Sequence, residues 1–307
     1  MSATAEQVIN TTANPRSILS IFMSLLQSTA RADPRLLTPR TPPAGDPVVG
    51  RDGIMADALD GEELTVDSLT GSWRITQRKR GHRHSTDDLL TGWYAANCGV
   101  AVQRILDLGA GLGSVGLLAL SKFPAARLTS IEAQEVSFAL LERNVKLNYL
   151  EGRVRTIHGD LRHVSIEARA FDLVTGSPPY WDVSEGVLPA DSQKAHARFE
   201  LRGDVRDYCL AAERALAPGG RFVFCFPSVQ RPRAERAVSA AGLAILRSRD
   251  VIPRAGLPAL FSLFCCGCPE DSVHTEHVRE VAYVVRDADG TQTKEHADSR
   301  ALFGLGL

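Results

Sequence analysis

Net charge is almost absent: 35 Lys and Arg stand against 36 Asp and Glu, leaving −1. A chain so balanced does not bind nucleic acid through bulk charge, although a local basic patch is still open to it. Long apolar runs are missing as well. No stretch approaches the ~18 residues that a membrane span needs, and no secretory leader pattern is visible. Cysteines are few. The six, at positions 98, 209, 225, 265, 266 and 268, lie mostly within apolar runs. That usage suits reduced thiols in an intracellular protein better than a disulfide framework. Internal repeats and long blocks of one charge are also lacking. What remains is ordinary globular material over 307 residues, 44% hydrophobic and 23% charged, enough for a sizeable core.

Residues 1–60 read as an arm distinct from the rest. Six of the sixteen prolines fall within the first fifty residues, and Thr38-Pro39-Arg40-Thr41-Pro42-Pro43 holds neither helix nor ladder. A short helix is expected around Ser17–Ser28. Arginines at 16, 31, 35 and 40 give the arm a transit-peptide flavour, diluted by Glu6 and Asp33. The expected location is cytoplasmic, or mitochondrial if the arm is such a leader.

Residues 61–307 read as one globular domain. Apolar runs at Ile105–Leu108, Leu128–Ile131, Val154–Ile157, Phe171–Thr175 and Arg221–Phe226 alternate with helical stretches such as Gln134–Tyr149. That alternation predicts an α/β fold with a mostly parallel sheet. The closing runs Leu243–Arg249, Leu260–Cys265 and Val278–Val285 have no long helix between them, which predicts antiparallel strands at the C-terminal end.

The first run ends in a glycine loop, Asp107-Leu108-Gly109-Ala110-Gly111-Leu112-Gly113, followed by the helical run Val115–Ser121. Glycines there permit a tight turn and close approach of backbone to a ligand. Gly111, Gly113 and Gly116 also fit the dinucleotide fingerprint. Asp107, however, suits the ammonium end of a methionine moiety better than a pyrophosphate. Glu132, at the end of the next run, is placed to accept from ribose hydroxyls of either cofactor. The loop alone therefore leaves S-adenosylmethionine, a dinucleotide and a plain turn open. Asp160, closing the third run, is a candidate acceptor for an adenine amino group or a loop cap.

The fourth run ends in Ser177-Pro178-Pro179-Tyr180-Trp181. Two prolines cannot continue a central strand, so they force a stiff exit at the carboxyl edge of the sheet, where open α/β folds bind ligands. Methylation of an amino group conjugated to a ring needs such a device. The nitrogen lone pair is delocalised, and oxygen acceptors on its N–H bonds, Ser177 Oγ and the Pro178 carbonyl, pull it toward tetrahedral geometry. Tyr180 would offer a stacking face worth about 1–3 kcal/mol per base. Placement for in-line displacement supplies much of the acceleration.

In this order and spacing, Asp107–Gly113, Glu132 and Ser177–Tyr180 resemble the class I S-adenosylmethionine-dependent amino-methyltransferases, whose fold is Rossmann-like with a seven-stranded sheet. More narrowly, the chain is similar to tRNA adenine-N6 methyltransferases that modify the purine next to the anticodon of a valine tRNA. Thr86–Trp93, Ala197–Glu200 and Val278–Glu295 carry that closer likeness, which covers roughly residues 70–300. The resemblance implies cofactor contacts from Thr86, Asp87, Asp107, Gly109, Gly111, Gly113, Glu132, Asp160 and Leu161. It implies that Ser177, Pro178 and Tyr180 hold the target base, with Pro179 and Trp181 beside it. Two positions depart from it. Ser177 stands where the family has Asn, which leaves adenine N6 and cytosine N4 both open, and Asp88 stands where it has Gly.

Arg80 and Arg83, in the basic stretch Gln77–His84, and Arg198 are candidate phosphate contacts. The expected partner is a nucleic acid, most naturally tRNA, with no membrane association and no metal. The oligomeric state is not readable. DNA amines, protein glutamine and a catalytically silent RNA-binding module are the competing readings; a nicotinamide-dependent oxidoreductase is disfavoured by Ser177–Tyr180. Cys265-Cys266-Gly267-Cys268 with His274 and His277 invites a zinc site, but the cysteines end an apolar run and read as buried strand residues.

Overall fold

The computed structural model describes residue 59 and residues 61–271 and 276–306. The arm, apart from Leu59, and His274 lie outside the described residues.

The described chain opens with a hairpin, β1 (Leu64–Ser68) and β2 (Arg74–Arg78), and then a helix, α1 (Thr86–Ala96). An alternating series follows: β3 (Arg104–Leu108), α2 (Ser114–Lys122), β4 (Arg127–Glu132), α3 (Glu135–Leu147), β5 (Val154–His158) and β6 (Phe171–Gly176). The chain continues through α4 (Ser192–Arg198), α5 (Val205–Ala215), β7 (Leu216–Pro227), α6 (Arg231–Ala240), β8 (Ala244–Ile252) and β9 (Phe261–Gly267). Two short strands, β10 (Val278–Arg279) and β11 (Tyr283–Val284), precede α7 (Lys294–Leu302).

The main sheet runs β5-β4-β3-β6-β7-β9-β8, parallel from β5 to β7. β9 is antiparallel to both β7 and β8. The seven-stranded mixed sheet expected from the sequence is present, and β10 and β11 extend it to nine strands among the described residues. These two do not form the antiparallel edge strand expected over Val278–Val285. Both pair parallel with β8, on the side of it away from β9.

Leu106 and Leu108 of β3 are fully buried, as is Ile105, so both faces of this strand are covered. α1 and α2 pack together and reach β3, β6, β7 and β9, while α5 and α6 pack together over β6, β7 and β8. Helix starts are written locally. Gln134 caps α3 by accepting from Ser137 N–H at 2.6 Å, and Asp204 caps α5 by accepting from Arg206 and Asp207. Ring stacking of Phe222, Phe224 and Phe264, with centroids 4.8 and 4.9 Å apart, fills the centre under β7 and β9.

Topology fixes where a ligand can sit. After β3 the chain moves outward to β4 and β5, then returns to β6 on β3's other side. The crevice between the carboxyl ends of β3 and β6 is therefore the switch point, where open α/β sheets bind ligands. Leu108 pairs with Gly176 there, so the glycine loop and the Ser177–Tyr180 turn leave the sheet side by side.

Candidate active site

Gly109, Gly111 and Gly113 all have left-handed backbone, at φ 60°, 57° and 92°. Their reasons differ. A Cβ on Gly109 would stand 1.9 Å from the Tyr208 hydroxyl, and one on Gly113 would stand 2.7 Å from Leu141. A Cβ on Gly111 would meet nothing within 4 Å. Gly109 and Gly113 thus serve close internal packing, and Gly111 faces open space. That open cradle fits a ligand lying on the loop.

The carboxylates around the loop do more supporting work than the sequence suggests. Asp107, almost wholly buried, accepts from Gly116 N–H at 3.0 Å and from Thr175 Oγ1 at 2.7 Å. It anchors the first turn of α2 and, with about four acceptor positions on a carboxylate, keeps others beside these two bonds. Burial pushes its carboxyl up to about 7. Glu132 accepts from Gly111 N–H and Gln134 N–H, each at 2.7 Å, and from Ala133 N–H. Of about four acceptor positions on a carboxylate, one is left for a ligand hydroxyl. Burial raises its pKa as well. Asp160 is bound on both oxygens by Arg162, at 2.6 and 2.9 Å, which fixes its carboxylate just after β5. Leu161 beside it is buried.

α1 brings a second group of residues to the same crevice. Thr86, half-buried, opens the helix. Asp87 Oδ2 accepts from Tyr180 Oη at 2.9 Å. Asp88 accepts from Ser85 N–H at 3.0 Å, closing the first turn, and bonds Ser114 at the start of α2. Burial and the adjoining Asp87 hold the Asp88 carboxyl well above the usual carboxylate range. Position 88 thus links the two helices that flank the crevice.

The Ser177–Tyr180 turn is held from three directions. Tyr180 and Trp181 N–H both donate to the Arg198 carbonyl at 3.1 Å, Gln230 donates to the Tyr180 carbonyl at 2.7 Å, and Trp181 bridges to Phe199. Ser177 is half-buried, with Oγ 3.5 Å from Cys225 Sγ. Tyr180 is only 9% exposed and packs edge-on to Phe226, 6.0 Å between centroids. The expected open stacking face is corrected: the ring is largely covered and its hydroxyl is directed to Asp87. Pro178 and Pro179 are buried, and Trp181 belongs to the core rather than to an exposed rim.

The basic stretch divides. Arg83 donates to Asp67 at 2.9 Å and to Thr65, so it fastens the hairpin. Arg78 is buried and pairs with Glu62 at 2.5 Å and Asp191 at 2.9 Å, tying the hairpin to the start of α4. Arg80 is exposed. Arg198, with a buried Nε lacking a partner among the described residues, stands near His82. Burial lowers its pKa. Cys265 and Cys266 are buried in β9, and His277 Nε2 lies 2.7 Å from Ser248 Oγ. Among the described residues no group of His, Cys, Asp and Glu is arranged to hold a metal ion, and no helix is long and apolar enough to cross a membrane.

Sequence reasoning missed Cys225, Tyr208 and Asn144. Asn144 is fully buried; it accepts from Thr76 N–H at 2.6 Å and donates to the carbonyls of Thr76 and Leu112, joining the hairpin edge to the glycine loop. Cys225 and Tyr208 sit within ordinary apolar or amphipathic runs and carry no local signal. Only the i, i+4 pair Asn144 and Asn148 on one helix hints at a polar docking edge; Asn148 bonds Arg74 N–H and C=O in the same manner.

Residues 88–203 match the family model for the methyltransferase small domain. A protein of Porphyromonas gingivalis called tRNA1(Val) (adenine(37)-N6)-methyltransferase is 28% identical over 159 residues, which cover 50% of this chain and 62% of that one. One of the same name from Aeromonas hydrophila is 25% identical over 223 residues, covering 72% and 90%. The crystal structure of a predicted O-methyltransferase from Agrobacterium tumefaciens superposes with a TM-score of 0.56 at 17% identity, over 72% of this chain and 98% of that one. The fold is thus that of a Rossmann-like methyltransferase.

Proposed function

From residues 88–203 as a methyltransferase small domain, whose cofactor is S-adenosylmethionine, we propose that this protein transfers a methyl group to an exocyclic amino group of a nucleic-acid base, adenine N6 in a tRNA. One observation carries the reading. The Ser177-Pro178-Pro179-Tyr180 turn leaves β6 directly beside the glycine loop of β3, and its tyrosine is tied to Asp87 of the helix that contacts α2. The likeness to proteins named as tRNA adenine-N6 methyltransferases supports the choice of base and of RNA.

Bound in the crevice, S-adenosylmethionine supplies an activated methyl group. Gly111 gives it an unobstructed backbone surface, Glu132 the remaining acceptor for a ribose hydroxyl, and Leu161 an apolar wall. Asp107 and Asp88 act behind these by fixing the start of α2. Thr86 and Asp87 border the methionine end.

On the acceptor side, Ser177 Oγ and the Pro178 carbonyl accept from the two N–H bonds of the target amine. This withdraws the nitrogen lone pair from the ring and aims it at the methyl group. No strong general base is needed beforehand, because the methylated nitrogen becomes acidic and sheds its proton afterwards. Tyr180 contributes through its hydroxyl, which locks the turn. The base reaches the turn by leaving its stack, which single-stranded RNA loops permit at small cost. Arg198 and Arg80 supply charge for flanking phosphates.

The test is incubation with methyl-labelled cofactor and separate pools of tRNA, rRNA and DNA, followed by nucleoside mass spectrometry. N6-methyladenine in the tRNA pool is the expected product. N4-methylcytosine would replace the base assignment, and cofactor binding without transfer to any pool would replace the enzyme by a silent binding module.

A further inference from the structure

Cys225 lies on β7, wholly buried, among three hydroxyl groups. Tyr180 Oη is 3.3 Å from its sulfur and Ser177 Oγ is 3.5 Å away; the Thr91 hydroxyl bonds the thiol from α1. Each hydroxyl has one hydrogen to give. Thr91 gives its hydrogen to the Asp87 carbonyl, at 2.7 Å. Tyr180 gives its hydrogen to Asp87 Oδ2, at 2.9 Å. Both therefore face the sulfur with lone pairs only, and the single thiol hydrogen goes to one of them. Ser177 is the one hydroxyl of the three whose hydrogen is not already committed, and the sulfur is the acceptor facing it.

Direction matters at this atom. A serine hydroxyl can either accept or donate, whereas the amide oxygen of an asparagine is an acceptor by construction. If Ser177 donated to the target nitrogen it would occupy the lone pair that has to attack the methyl group. We propose that Cys225 is a positioning residue: its sulfur takes the Ser177 hydrogen, so that Oγ presents only lone pairs to the amine. Whether the thiol hydrogen goes to Tyr180 or to Thr91, the sulfur is left to accept from Ser177, and both branches end on Asp87, at its Oδ2 and at its backbone carbonyl. The inference rests on the amine-methylation reading above and specifies how a serine serves at the first position of the turn. Cys225 has no reactive part in it; burial pushes its thiol up to about 12, and it works as a neutral donor and acceptor.

The experiment compares the purified full-length protein with four variants: Cys225→Ala, Cys225→Ser, Ser177→Asn and the Ser177→Asn/Cys225→Ala pair. The probe is a pool of transcribed, unmodified tRNA with labelled S-adenosylmethionine. In the Ser177 background, Cys225→Ala is expected to lower kcat about 10-fold, the scale of one lost hydrogen bond in the transition state, with the cofactor KM unchanged. Cys225→Ser restores most of that loss, since its hydroxyl also accepts and donates. In the Ser177→Asn background, Cys225→Ala is expected to have little effect. Equal losses in both backgrounds, or none in the first, overturn the inference while leaving the functional reading in place. A wild-type protein that methylates no amine in any nucleic-acid pool overturns both.

A second measurement guards against variants that fail to fold. The Cys225 S–H stretch, assigned by difference against Cys225→Ser, is expected to shift in Ser177→Ala, because the sulfur then loses its donor. An unmoved band means that Ser177 does not donate to the sulfur, and the inference falls.

Discussion

Tyr180 Oη lies 2.9 Å from Asp87 Oδ2, joining the residue that follows the proline pair to the second residue of α1 across 93 positions of chain. The bond closes the crevice between a helix on one side of the glycine loop and the turn on the other. Tyr180→Phe keeps the ring and its packing on Phe226 but removes this bond. A hydrogen bond to a charged group contributes about 1.5–3 kcal/mol, so turnover is expected to fall by roughly 10- to 100-fold with cofactor affinity near wild type. Tyr180→Ala also loses the ring and is expected to fall further. Unchanged turnover in both variants removes Tyr180 from the transfer step.

Glu132 holds the loop and retains one acceptor position. Glu132→Ala is therefore expected to weaken cofactor binding before it affects anything else. Glu132→Gln keeps only one oxygen as acceptor beside its new donors and is expected to be intermediate. Titration calorimetry with S-adenosylmethionine decides this. Equal affinity in wild type and Glu132→Ala would place the ribose elsewhere.

Gly109 and Gly111 are expected to respond differently to alanine. A methyl group at 109 runs into the Tyr208 hydroxyl at 1.9 Å in left-handed backbone, so Gly109→Ala is expected to destabilise by several kcal/mol, above the ~1–2 kcal/mol of backbone conformation alone. Adding Tyr208→Phe removes the colliding oxygen and is expected to return part of that loss. Gly111→Ala bears the conformational cost and intrudes on the open cradle, so its main effect is on cofactor affinity. Urea unfolding of the three variants checks the contrast; a Gly109→Ala protein as stable as Gly111→Ala contradicts it.

His296 is buried beside Tyr283, with Nδ1 3.1 Å from its hydroxyl. Burial, with Arg300 and Arg286 nearby, pushes its pKa down to about 4 from the ordinary 6.5. The native state keeps the ring neutral over a range in which the unfolded chain takes up a proton. Its contribution to stability is complete above pH 6.5 and is lost as pH falls through about 4. His296→Gln is expected to flatten the acid limb of the stability profile across that window, by up to ~1.4 kcal/mol per pH unit for one proton. Parallel profiles would show that the ring titrates alike in the native and unfolded states.

Arg80 and Arg83 are three residues apart and are expected to behave as different kinds of arginine. Arg80 is exposed, and Arg80→Ala is expected to reduce the dependence of log affinity for tRNA on log salt by about one contact, a slope change of roughly 0.7–0.9. Arg83 is occupied by Asp67 and Thr65, so Arg83→Ala is expected to leave that slope unchanged and to loosen the hairpin slightly. Salt titrations of binding separate the two.

The alternation of apolar runs and helical stretches, the glycine loop and the Pro178-Pro179 break determined the class of fold and the edge of the sheet that bears the crevice. Periodicity and backbone permissiveness are local properties, and they are written in consecutive residues. Side-chain commitments are not. Whether Asp107 faces a ligand or the turn of α2, whether Arg83 meets solvent or Asp67, and whether Tyr180 lies open or edge-on to Phe226 depend on partners tens of residues distant. A carboxylate or guanidinium is satisfied by whichever complementary group the tertiary fold brings within about 3 Å, and no spacing along the chain states which group that is. Cys225 shows the extreme case: an unremarked residue of an apolar strand becomes the neighbour of Ser177 and Tyr180 only because β6, β7 and α1 converge on one point.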